Sequence, residues 1–180
     1  QLIEFCTERQ GTLHVIDPSP HYDPEEFQEK HGSFTFYNEL SLVALPKLQK
    51  YDAILIDGDH NWYTLTNELL LIEAYIEKTK ASPLIIMHDV GWPYARRDMY
   101  YKPESIPAEF RQPYEKKGIL PGLCKIVDKG GFNPMHYHAT NEGGERNGIL
   151  TAIEDFLSQT KHQYTFIHIP GLHGLGILAP

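Results

Sequence analysis

The sequence predicts an α/β protein built on a doubly wound, mostly parallel sheet with helices on both faces. Three observations predict it. Short apolar runs alternate with amphipathic stretches in the order strand, helix, strand, helix. The run from Asp52 to Ile56 is apolar throughout, as a strand covered on both faces is. Several runs end in acids or histidines, where the loops of an open parallel sheet splay apart and bind ligands.

Each element has its own local reason. Gln1 to Phe5 reads as the end of a helix. Thr12 to Ile16 is β-branched and apolar, and it stops at Asp17-Pro18 because proline cannot continue a ladder. Asp23-Pro24-Glu25-Glu26 combines a cap residue, an early proline and two first-turn acids, so a short helix runs to about Lys30 and closes at His31-Gly32. Ser33 to Tyr37 is a second strand, and Leu40 to Leu48 a short helix containing a proline. Asp52 to Ile56 is the third strand. Beyond it, Leu65, Leu69, Ile72 and Ile76 recur at three and four residues, one side of a long helix reaching about Lys80.

Pro83 to Met87 is a fourth strand, ending in His88-Asp89. Residues 91–141 are rich in Pro, Gly, Tyr and Arg without a period, which marks a lid or insertion within a single domain spanning 1–180. A helix follows from Arg146 through Ile149, Ile153 and Phe156. Tyr164 to Ile169 and Leu175 to Leu178 are the last strands, and the short Pro170-Gly171 link lets the final one fold back antiparallel.

Composition narrows the function. Hydrophobic residues make up 41% and charged residues 22%, an ordinary globular balance. A net charge of -8 argues against a nucleic-acid partner. No apolar run approaches the roughly 20 residues of a membrane helix. The two cysteines, Cys6 and Cys124, are far apart and lack metal-type spacing, so a reducing cytoplasm is the expected location.

The order HVIDPSP, YDAILIDGDHNWYTLTNELLLIE, PLIIMHDVGWPYARRDMYY resembles the class I S-adenosylmethionine-dependent methyltransferases. It resembles especially the subgroup carrying IDGDH after the family's fourth strand and HD after its fifth. GGERNGILTAIEDFL and IPGLHGLGIL look like bacterial members from polysaccharide or glycan-modifying contexts. The resemblance implies a Rossmann-like sheet with an antiparallel last strand, and O-methylation of a small-molecule or glycan acceptor. The family's first strand and glycine-rich loop are absent, so natural sequence is expected to precede Gln1.

The resemblance also implies roles for particular residues. Asp17 would bind the ribose hydroxyls of S-adenosyl-L-methionine, with Asn38 and Ser41 near the adenine edge, and Asp57 and Gly58 beside the transferable methyl group. His60 is the best general base, since imidazole titrates near neutrality; Asp59-His60 equally reads as a cap for the following helix. Asp57 and Asp89 could share Mg2+, binding an acceptor diol and lowering its hydroxyl pKa. His88, Trp92, Tyr94, Arg96 and Arg97, with Tyr100 and Tyr101, form an aromatic and basic wall for an anionic or glycosidic acceptor. His136 and His138 alternate as in a strand and would face the same cleft. His162, His168 and His173 read as structural or surface groups. Two other readings stand beside this one. A metallohydrolase would ligate its ion with Asp57, Asp59, His60, His88 and Asp89, and a non-catalytic domain would keep the fold as an interaction module. The aromatics of 91–141 could equally form a homodimer contact.

Overall fold

The computed structural model of the chain describes residues 1–179. They form an α/β arrangement with mixed sheets, in two compact units, the first over residues 1–49 and the second from Lys50 onward.

In the first unit, α1 (Leu2–Glu8) precedes β1 (His14–Ile16), α2 (Pro24–His31), β2 (Thr35–Tyr37) and α3 (Ser41–Ala44). Asp23 caps α2 as its sequence implies, its carboxylate accepting from the backbone N–H of Glu25 at 2.9 Å and of Glu26 at 3.3 Å. The helix expected over Leu40 to Leu48 is split. Pro46 has no N–H to donate, and the chain tightens into a 3-10 turn at Leu45–Lys47. β1 and β2 pair in parallel, Val15 opposite Phe36.

The second unit holds β3 (Ala53–Ile56), α4 (Trp62–Thr79), β4 (Leu84–His88), β5 (Met99–Tyr100), β6 (Tyr114–Lys116), β7 (Tyr137–Ala139), α5 (Ile149–Gln159), β8 (Thr165–Ile169) and β9 (Leu175–Ala179). Its main sheet runs β3-β4-β9-β8. β3 and β4 are parallel, whereas β9 is antiparallel to both β4 and β8, so the last strand does fold back. Leu65, Leu69, Ile72 and Ile76 of α4 pack with Ile153 and Phe156 of α5 against Ile85, Met87 and Leu178 of the sheet. Each such side chain contributes about 1.5–3 kcal/mol by leaving water.

Three expectations change. β3 is not covered on both faces: Ile54 and Ile56 pack on the core, while Ala53 and Leu55 remain exposed. Residues 91–141 are not structureless, because β5, β7 and β6 form an antiparallel sheet of their own. α5 begins at Ile149 rather than Arg146, since Arg146 (φ 53°) and Gly148 (φ 93°) adopt left-handed backbone that a helix cannot contain. Among the described residues no helix is long and apolar enough to cross a membrane.

Candidate functional site

The carboxyl ends of β3 and β4 carry Asp57 and His88-Asp89. The loop from Asp57 to His60 leads into α4, whose cap is Asn61, not Asp59 or His60: its side chain accepts from Thr64 N at 2.9 Å. This frees His60 from capping, while Asp59 accepts from the Thr64 hydroxyl at 3.1 Å. Asp89 sits at φ 58°, left-handed backbone that aspartate tolerates better than most residues with a Cβ.

Four side chains meet here. His60 Nε2 lies 2.6 Å from Asp89 Oδ2 and 3.5 Å from Asp57 Oδ1. His88 Nδ1 lies 3.1 Å from Asp57 Oδ1, and its Nε2 is 2.8 Å from the Leu172 carbonyl. Both nitrogens of His88 therefore face acceptors. Burial opposes a charge on His60, but the carboxylates of Asp57 and Asp89 close to its Nε2 outweigh it and raise its pKa to about 9. Burial pushes the Asp57 carboxyl up, yet His60 and His88 together hold it below the usual carboxylate range. Burial raises Asp59.

These groups floor a cleft of about 290 Å³. Tyr94, Tyr101, Phe132, Asn133, His136 and His173 supply much of its wall. Tyr94 is buried, accepts from Asn133 Nδ2 at 2.6 Å, and is pushed up to about 12, chiefly by burial. The loop joining β8 to β9 is clasped onto the turn after β4: Gly91 N donates to the His173 carbonyl at 2.6 Å. Gly174 (φ 86°) makes that approach possible, since a Cβ there would stand 2.6 Å from Gly91 N and 3.0 Å from His168 Nε2. Gly174→Ala is expected to cost about 1–3 kcal/mol, combining backbone strain with the clash. That is a fall of several degrees in Tm, read by thermal unfolding.

The fold thus brings Asp57, His60, His88, Asp89 and Tyr94 to one cleft. Gly58 lies in the turn beneath, beside a void of about 10 Å³. The arginines are engaged elsewhere. Arg96 grips Glu154 through two 2.6 Å bonds, and Arg97 is buried, donating to the carbonyls of Ala139, Leu123 and Cys124. Trp92 packs on Phe132 at 5.4 Å, and its carbonyl faces His173 Nδ1 at 3.0 Å. His138 is wholly buried on the Lys117 carbonyl, so only His136 of that pair reaches the cleft.

In the first unit, Asp17 ends β1 and accepts from Ser19 N at 2.8 Å. Asn38 directs its amide nitrogen at the carbonyls of Pro18 (3.1 Å) and Asp17 (3.3 Å), and Ser41 opens α3. Phe132, Asn133 and His173 are wall residues that sequence reasoning did not place in the cleft. His173 stands in a glycine-flanked turn 84 positions after Asp89 with no spacing signal, and only strand order brings it back. No family model, curated protein or solved structure matches the chain.

Proposed function

We propose that the protein is an S-adenosylmethionine-dependent methyltransferase acting on a hydroxyl of a small or glycosidic acceptor. The observation that carries this reading is the Asp57–His60–Asp89 cluster on the floor of a cleft at the carboxyl ends of two parallel strands, where the resemblance puts the reacting methyl group. The parallel pairing of β3 with β4 and the antiparallel β9 beside β4 support a sheet with that family's antiparallel last strand. Two free thiols, Cys6 and Cys124, support a reducing cytoplasm.

Methyl transfer is an in-line displacement, so the protein's task is alignment and removal of one proton. Tyr94 and Tyr101 offer ring faces to a sugar or aromatic acceptor. Asp57 and His60 meet its hydroxyl. The carboxylates of Asp57 and Asp89 fit a divalent cation, because Asp89 Oδ1 is buried without a hydrogen-bond partner. Bound there, a cation supplies Lewis acidity that lowers the hydroxyl's pKa. The same donors favour a second reading, a metal-dependent hydrolase.

Calorimetric titration with S-adenosylmethionine and its demethylated product separates the two. The expected result is binding that weakens in Asp17→Ala. No binding by the folded protein overturns the methyltransferase and leaves the hydrolase.

A further inference from the structure

We infer that the cleft floor is a divalent-cation centre with His60 as its nitrogen donor, built for a borderline transition ion such as cobalt in preference to magnesium. The inference rests on the methyl-transfer reading for the ion's purpose, and its test uses neither cofactor nor acceptor.

Asp57, His60 and Asp89 each offer a donor atom within 4.8 Å of the others. The contacts among them are close but do not run along the imidazole's N–H direction. Both nitrogens of His60 and Asp89 Oδ1 have no hydrogen-bond partner, although His60 is 8% and Asp89 5% exposed. Buried polar atoms are nearly always paired, so groups that crowd together without aligning on one another suit a common third partner. A cation meets nitrogen and carboxylate oxygen at once, which no single hydrogen bond does.

The donor set then selects the ion. Two carboxylates alone would suit magnesium, which prefers an all-oxygen shell and keeps much of its water. An imidazole within the set shifts preference toward the borderline ions from iron to zinc, with manganese closer to magnesium. His88 braces the centre from outside, with Nδ1 on Asp57 and Nε2 on the Leu172 carbonyl, the kind of outer support that fixes a ligating carboxylate. His60 is then a ligand, and the acceptor's hydroxyl loses its proton to another group or to water.

The protein alone is titrated with CoCl2, MnCl2 and MgCl2 by calorimetry, and the manganese-loaded form is examined for nitrogen coupling by pulsed electron paramagnetic resonance. Cobalt is expected to bind at least about tenfold more tightly than magnesium. Manganese should show coupling to an imidazole nitrogen. His60→Gln should remove that coupling and weaken cobalt by at least about tenfold. Equal affinity for magnesium and cobalt, no binding of any of the three, or manganese without nitrogen coupling overturns the inference. The coupling measurement needs no variant, so it decides even if His60→Gln does not fold. Cofactor titration in the absence of metal tests the methyltransferase separately.

Discussion

Asp98→Ala is expected to destabilise the larger unit by about 4 kcal/mol or more. Asp98 is fully buried, and three donors converge on it: Trp62 N at 2.8 Å, Gly148 N at 2.7 Å and the Tyr100 hydroxyl at 2.8 Å. Trp62 is the first residue of α4 and Gly148 immediately precedes α5, so one carboxylate serves the starts of two helices that pack together. Alanine strands all three donors away from water, at about 1–3 kcal/mol each, against a total stability of about 5–15 kcal/mol. Asp98→Asn keeps an oxygen for both N–H groups and should cost much less.

The charge itself works the other way. Burial lifts the Asp98 carboxyl to about 6 from 3.8, outweighing its hydrogen bonds. The folded state therefore holds this proton more tightly than the unfolded state between those values. Stability from this group falls as pH rises from about 4 to about 6 and is constant above, a loss of up to about 3 kcal/mol. Urea unfolding at pH 4 to 7 checks both effects. Asp98→Asn should lack this component of the slope, and an Asp98→Ala protein within 1 kcal/mol of wild type would show that the donors find other partners.

What the sequence made legible was set locally. Leu65, Leu69, Ile72 and Ile76 repeat at helical spacing whatever surrounds them, and Asp23-Pro24 caps a helix through atoms two and three residues away. The strand-end location of Asp57, His60, His88 and Asp89 was legible for the same reason, because Asp57 and His88 directly follow apolar runs and the other two come within three residues of them. Roles that depend on distant partners were not. Arg96 and Arg97 look alike as substrate cations, yet one is taken by Glu154 and the other by carbonyls at Leu123, Cys124 and Ala139. β5, β6 and β7 are two or three residues long, too short to display a period of two. The helix cap fell one residue beyond Asp59-His60, on Asn61, and that small displacement is what leaves His60 available for chemistry.

If the proposed methyl transfer is the reaction, His60→Gln is expected to lower it by about 10²- to 10⁴-fold while leaving S-adenosylmethionine affinity unchanged. Glutamine fills much of the same space and offers an N–H toward Asp89, so the core around Tyr94 should remain packed; the ring faces His60 at 5.0 Å. What is lost is an imidazole between two carboxylates, and with it the nitrogen lone pair that the ring presents once its proton is given up. Transfer of labelled methyl from S-adenosylmethionine to catechol, a vicinal-diol probe, measures the effect. Raising MnCl2 then separates the two roles that nitrogen can play. A ligand's loss weakens ion binding, so excess manganese restores part of the turnover. A base's loss leaves proton transfer impaired at any manganese concentration, and turnover stays low. Wild-type turnover in His60→Gln would remove His60 from the chemistry altogether and shift attention to His88 and Asp57, which share the same cleft floor.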